Sequence, residues 1–366
     1  MVAQSSPQTA PPQAAPLSQL VSDQHWLQAV QSQIEVAMAE LFVLPDEDSL
    51  GARWKRAMEH TRRYALRPAK RVRPALVVAG YSLARGSLTA QPGLWRFAAG
   101  LELLHTFLLI HDDVADQAEL RRGGPALHHL LGPGRAGEDL AVVVGNYLYS
   151  RSLEAMLTSG LLGATKASLY YLGVCRHTAA GQYMDLELSR APLSQVTLSQ
   201  ALRVAHLKTS RYGFCAPLVC GAMLAGAPAE LCEVLERVGR HVGLAFQLRD
   251  DLIGLFGDES VAGKAVDGDF VQGKRTFPVL AAYTRAPASA RDELERLWTL
   301  PLEAKDTAAR ARARALVEEH GGRAACERLV ERASRAGQKA LHTLPAQGGV
   351  RDLLDTLITR LARRAA

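Results

Sequence analysis

Residues 94–116 read "LWRFAAGLELLHTFLLIHDDVAD". No proline and no turn cluster interrupts the run, which is too long for a strand and reads as one helix. It ends in carboxylates. Asp112 and Asp116 are four apart, so they lie one above the other on a single helix face. Asp113 sits about 100° round from Asp112. Carboxylates crowded onto one turn repel each other unless a cation joins them. A solvated acidic helix end is the plain alternative, but the apolar "LELLHTFLLI" at 101–110 carries this helix through a core. Aspartates at the rim of an apolar channel suit Mg2+, which takes oxygen ligands, keeps waters and is completed by substrate phosphates.

The pattern recurs at 245–258 as "AFQLRDDLIGLFGD". Asp250 and Asp251 follow an apolar helix, and Asp258 is two turns beyond Asp250. Two such turns facing one cavity would hold a dinuclear or trinuclear Mg2+ cluster. Cations are interleaved with them: Lys70, Arg71 and Arg73 in "PAKRVRP", Arg121 and Arg122 after the first turn, Lys208 in "HLKTSRYG", and Lys264, Lys274 and Arg275 in "AGKAVDGDFVQGKRT". Arg binds phosphate through two parallel hydrogen bonds and Lys acts as a point charge. The arrangement points to two anionic substrates, one reached through metal and one through cations alone.

The rest of the chain is helical in pattern. In "HWLQAVQSQIEVAMAELFV", Trp26, Val30, Ile34 and Met38 recur every four residues. "TLSQALRVAHLKTSRYGFCAPLVCGAMLAG" reads as a helix interrupted at Pro217, and from about 288 onward Arg- and Ala-rich amphipathic helices follow. No run alternates with period two, so no sheet is expected. Residues 1–22, rich in Pro, Gln, Ser and Ala, read as a disordered tail without a targeting signal. Residues 23–366 read as one all-α domain of ten or more helices around a deep central cavity. No purely apolar run approaches the ~18 residues of a transmembrane span. Of 366 residues 48% are hydrophobic, enough for a sizeable core. The net charge of +6 is spread out and only 6% of residues are aromatic, which argues against nucleic acid. The five cysteines have no CxxC spacing and read as buried free thiols of a reducing cytoplasm.

Two motifs mislead. "GDFVQGKR" at 268–275 approaches a P-loop but fails at Arg275 and follows no strand. "ELLH" at 102–105 is a single ExxH, whereas di-iron bundles need two. His105 itself reads either as a core histidine or as part of the site.

Taken in order, "ELLHTFLLIHDD", "DDVAD", "RRGGPALH", "GQYMDLE", "HLKT", "FQLRDD" and "GKRT" resemble the motifs of trans-isoprenyl diphosphate synthases, the polyprenyl synthetase family. The resemblance covers about 70–276. It implies an all-α isoprenoid synthase fold, usually a homodimer, that joins isopentenyl diphosphate to an allylic diphosphate (dimethylallyl, geranyl or farnesyl). Mg2+ is the implied cofactor, three ions with substrate bound. The implied metal set is Asp112, Asp113, Asp116, Asp250 and Asp251, with Asp112 and Asp116 on one side and Asp250 on the other. Arg121, Lys208, Thr209, Gln247 and Lys264 would contact the allylic diphosphate, with Lys274 near it and the metal. Lys70, Arg73, His105 and Arg122 would hold isopentenyl diphosphate. Asp112, Asp116, Lys208, Asp250 and Lys264 would carry the catalysis. The chemistry agrees, since metal and Lys/Arg stabilise the leaving diphosphate, which can itself take the proton.

The chain departs from the family pattern in three places. Pro68 and Ala69 replace two glycines, Gly254 stands at the fifth position of the second motif with Asp258 as its possible substitute, and Asn146 replaces an aspartate.

One isoprene unit extends about 5 Å, about one helical turn, so residues ahead of Asp112 act as a ruler. Leu108 is one turn below and Phe107 roughly 7.5 Å down. Phe107 would floor the cavity while Leu108 and Leu104 leave room, although ordinary core packing is the plain alternative for Phe107. That pattern resembles members making geranylgeranyl diphosphate (C20), with farnesyl diphosphate (C15) as the alternative. A non-catalytic partner subunit would have lost the motifs. A terpene cyclase would carry an Asn/Ser/Glu triad where "DDLIGLFGD" stands.

Overall fold

The structure, a computed structural model, describes residues 23–43, 47–86, 91–257, 268–345 and 349–362. The expected N-terminal tail, Asp258 and Lys264 lie outside the described residues.

The fold is all-α. Helix α1 (Asp23–Glu40) buries Trp26, Val30, Ile34 and Met38 as one stripe, as their spacing predicts. α2 (Ala52–Ala65) and α3 (Val72–Arg85) follow. α4 (Pro92–Ala115) runs through the middle, packed on α1 and α3. α5 (Leu127–Leu131) and α6 (Gly134–Leu157) cover another side of it. Among the described residues α4 alone is long and apolar enough to cross a membrane, and 67% of that stretch is buried inside the fold. Its apolar character is that of a core helix.

α7 (Ala164–Leu188) leads to α8 (Leu198–Val204), a π-helical segment (Ala205–Cys215), α9 (Ala216–Leu224) and the long α10 (Ala229–Phe256). α8 is started by a capping box, in which Thr197 accepts from the Gln200 N–H and Gln200 reaches back to the Thr197 N–H. Short α11 (Gly268–Val271), α12 (Phe277–Arg285), α13 (Ala288–Trp298), α14 (Thr307–Glu319), α15 (Gly322–Leu341) and α16 (Val350–Ala362) complete the chain. The amphipathic C-terminal helices appear as read, with α15 lying along α10. A second core, formed by Phe270, Leu294, Trp298, Leu280 and Leu316, anchors α11 beside the end of α10.

Two expectations are corrected. The helix is not interrupted at Pro217; it runs from Leu198 to Leu224 by widening into π turns just before the proline. The N–H of Ala216 donates to the carbonyl of Arg211, five residues back. Pro217 has no N–H to give and its ring would strike the carbonyl four residues earlier in an α turn. A wider turn relieves both problems, and such bulges gather at functional sites. The second correction is a minimal hairpin, with Leu120–Arg121 paired antiparallel to Gly124–Pro125. Its turn residues Arg122 and Gly123 both have positive φ, 50° and 73°. That is the geometry of a tight hairpin turn, for which the glycine is suited. Strands of two residues are too short to show a period.

The π segment is gripped from both sides at backbone distance. A Cβ at Gly181 on α7 would meet the Lys208 nitrogen at 2.7 Å, and one at Gly243 on α10 would meet the Ser210 Cα at 2.6 Å. Glycine at these positions lets both helices approach and fixes where Lys208 and Thr209 project.

Candidate active site

The three aspartates of the first turn do different work. Asp112 and Asp116 are half-buried, whereas Asp113, a third of a turn away, is fully buried. Asp113 Oδ2 accepts from the Tyr64 hydroxyl at 2.8 Å, and Oδ1 accepts from Arg121 Nε at 2.7 Å and also pairs with Arg121 Nη2. Both oxygens are thus committed to protein. In this geometry Asp113, expected alongside its neighbours as a metal ligand, holds Arg121. Burial raises the Asp112 carboxyl above its usual range, and Asp116 adds to the rise against Lys208, Arg121 and Lys274.

The hairpin turns the two arginines back towards the core. Arg122 Nη2 lies 3.4 Å from Glu102 Oε1, which also accepts from Arg71 Nη1 at 2.9 Å. Glu102 therefore explains the "ELLH" motif as an anchor for two cations. His105, one turn on, is buried with Nδ1 3.1 Å from the Tyr212 hydroxyl, and Arg73 lies 5.1 Å over the Tyr212 ring. Burial, with the charges of Arg73, Arg122, Arg121 and Arg71, holds His105 well below its ordinary pKa, so it is a neutral hydrogen-bonding group. Arg73, His105 and Arg122 are thus brought together. Lys70 is exposed on the connector before α3, its carbonyl accepting from Gln31 Nε2 at 2.8 Å.

Across from them the π segment meets the second aspartate turn. Thr209 Oγ1 donates to Gln247 Oε1 at 2.5 Å, and Gln247 Nε2 donates to Asp251 Oδ1 at 2.7 Å. This chain fixes which way the amide points. Asp251 is buried, and burial together with Asp269 pushes its carboxyl well above the usual range. It holds Gln247, while Asp250 is half-buried at the end of the same apolar run. Lys208 Nζ contacts Asp185 Oδ2 at 2.7 Å; Asp185 is the aspartate of "GQYMDLE".

Lys274 joins the first acidic turn to Asp269 of α11, which lies beside the second. Its Nζ is 3.6 Å from Asp116 Oδ2 and 4.0 Å from Asp269 Oδ1. Burial alone would lower its pKa, but Asp269, Asp116, Asp185 and Asp112 more than offset that and raise it. An ammonium between carboxylates from both sides marks a place that wants positive charge. The donors there are carboxylate oxygens, which suits a hard divalent ion. Among the described residues no group of three or more His, Cys, Asp or Glu is arranged to hold a metal by itself. Mg2+ fits that limit, because it needs only one or two carboxylates and fills the rest with water and phosphate.

Below Asp112 on α4, Phe107 and Leu108 are half-buried, whereas Leu104 is in the core. The Phe107 ring packs at 4.5 Å from His111 and 5.3 Å from Tyr149 of α6. Tyr149, like Tyr64 and Tyr212, escapes a sequence reading because its partner is on another helix and no spacing links the two. Asn146 is exposed on α6.

These features define an all-helical enzyme with two acidic helix ends facing each other across lysines and an arginine–histidine cluster alongside. Residues 55–317 match the family profile described as Polyprenyl synthetase. The geranylgeranyl diphosphate synthase of Mycobacterium tuberculosis is 35% identical over 278 residues, 74% of each chain. The short chain isoprenyl diphosphate synthase of Methanothermobacter thermautotrophicus is 34% identical over 226 residues, 62% of this chain and 66% of that one. A crystal structure of geranylgeranyl pyrophosphate synthase from Corynebacterium glutamicum, complexed with isoprenyl diphosphate and magnesium, matches with a TM-score of 0.85 at 25% identity, covering 93% of this chain and 99% of that one. The chain belongs to the polyprenyl synthetase family, a family of Mg-dependent trans-prenyltransferases.

Proposed function

We propose that this enzyme condenses isopentenyl diphosphate with an allylic diphosphate and releases geranylgeranyl diphosphate (C20), with residues 23 onward acting as one catalytic domain. The observation that carries the reading is Lys274 lying between Asp116 of the first turn and Asp269 beside the second, with the separate Arg73–His105–Arg122 cluster alongside. One anionic substrate binds through metal and the other through cations alone. Three Mg2+ ions, held by Asp112 and Asp116 on one side and Asp250 on the other, would supply the charge that draws off the leaving diphosphate.

Lys208, Lys274 and Arg121 hold the allylic diphosphate in fixed positions as its C–O bond breaks, with Lys264 as a further cation. Thr209 and Gln247, locked to each other and to Asp251, orient that substrate at its reacting end. Arg73 and Arg122 grip isopentenyl diphosphate, with Lys70 nearby and neutral His105 donating or accepting a hydrogen bond without adding charge. The double bond of isopentenyl diphosphate attacks the allylic carbon, and the proton it then loses passes to the released diphosphate. The apolar wall of α4 excludes water, which would otherwise quench the cation. Exposed Leu140 and Val143 on α6 support a homodimer.

Incubation with Mg2+, isopentenyl diphosphate and each allylic diphosphate, followed by mass spectrometry of the products, tests the reading. C20 diphosphate is expected; hydrocarbons would mean a cyclase, C15 diphosphate a shorter ruler, and no turnover with any primer a partner subunit. For the ruler, Phe107→Ala is expected to shift the main product beyond C20 by opening the contact with His111 and Tyr149. An unchanged product distribution would return Phe107 to ordinary core packing.

A further inference from the structure

Gly254 leaves the second aspartate turn one carboxylate short of the five-residue pattern that the first turn completes with Asp116. The space beside Gly254 is nonetheless filled. A Cβ built there would lie 2.5 Å from Asp269 Oδ2 and 2.9 Å from its Cγ. A carboxylate from another element, fifteen positions further along the chain (269 − 254), occupies the place that a side chain at 254 would enter. Glycine at 254 is what lets it come so close.

Asp269 is held there firmly. Its carbonyl accepts from the Lys274 N–H at 2.8 Å. Its neighbour Phe270 is fully buried against Trp298, ring centroids 5.0 Å apart. Lys305 Nζ donates to the Phe270 carbonyl at 2.8 Å, and Arg275 Nε donates to the carbonyl of Ala191 at 2.9 Å. On its other side, Asp269 Oδ1 is 4.0 Å from the Lys274 ammonium, whose next neighbour is Asp116. Asp269 thus stands between α10 and the first aspartate turn, facing the same cation that Asp116 faces.

We infer that Asp269 supplies, through space, the carboxylate that the second turn lacks at Gly254, and acts with Asp250 towards the Mg2+–diphosphate assembly. The inference rests on the metal–diphosphate reading of this site. It gives Asp269 the role for which Asp258, next along the chain from the second turn, is the possible substitute by sequence.

The test is a swap of the carboxylate between the two positions, read by calorimetric titration of inorganic diphosphate with and without Mg2+. Asp269→Ala is expected to weaken Mg2+-dependent diphosphate binding at least about tenfold. Gly254→Asp alone is expected to weaken it too, because two carboxylates then compete for one place. Together, Gly254→Asp with Asp269→Ala should bring binding back close to the wild-type value. Wild-type binding by Asp269→Ala, or a double variant no better than Asp269→Ala, overturns the inference; a variant that has merely lost its fold would not be rescued and so counts against it. Asp112→Asn is the reference. If it abolishes Mg2+-dependent binding while Asp269→Ala does not, only this inference falls. If the wild-type protein shows no Mg2+-dependent diphosphate binding, the reading of the whole site falls with it.

Discussion

Asp112→Asn is expected to lower kcat by about a thousandfold and, in the same protein without metal, to raise the thermal midpoint. The two effects share a cause. Asp112 is an apolar helix's last-turn carboxylate, set one turn from Asp116 on one face. Burial disfavours its charge and Asp116 disfavours it further. On the proposed reading the cost is useful only when cations arrive, because the carboxylate would then hold Mg2+, whose charge stabilises a leaving diphosphate. An amide keeps the shape and removes both the repulsion and the catalytic charge.

The pH dependence follows in sign. A carboxyl whose folded pKa lies above its unfolded value keeps its proton longer in the folded state. The folded protein then binds more protons than the unfolded chain, so stability falls as pH rises from the ordinary value of 3.8 through the raised one. Asp251, raised by burial and by Asp269, pulls in the same direction. Thermal midpoints of the metal-free protein should therefore fall less steeply with pH in Asp112→Asn than in the wild type. Mg2+ with diphosphate should reverse the ranking, because binding stabilises only the variant that can bind. A less stable Asp112→Asn protein at neutral pH, without metal, would refute the account.

Glu102→Ala should have the largest effect on stability, about 3–5 kcal/mol. The Arg71 and Glu102 side chains are 0% and 2% exposed, and their bond of 2.9 Å is made inside the fold. Arg71 begins α3 from a backbone of positive φ, 46°, and also donates to the carbonyls of Ala65 and Arg67. Removing the carboxylate leaves a buried guanidinium with only the more distant Glu35, 3.9 Å from its Nε, as an anion, which costs far more than the net value of the pair. Arg122 loses the same anchor, so KM for isopentenyl diphosphate should rise more than KM for the allylic substrate. Urea unfolding and separate substrate titrations measure the two consequences. Glu102→Gln, which keeps one acceptor in place, should fall between.

Much of this protein is written along the chain. The four-residue spacing of Trp26, Val30, Ile34 and Met38 defines the buried face of α1, and the apolar run ending at Asp112 defines the central helix, because each pattern depends only on the helical repeat. The Asp112–Asp116 spacing sets two carboxylates on one face for the same reason. Tertiary structure decided what the repeat does not encode. Asp113 faces inward because Tyr64, from α2, and Arg121, from a two-residue strand, meet it there. Pro217 leaves its helix unbroken because Gly181 and Gly243 let α7 and α10 close on the widened turn. Glu102 serves two arginines that lie far from it along the chain on either side, and Asp269 fills the place that Gly254 leaves open. Periodicity records which face of an element is buried. Which charge ends up beside which is decided only when the elements pack, since opposite charges in a buried site are matched by distance in space and not by separation along the chain.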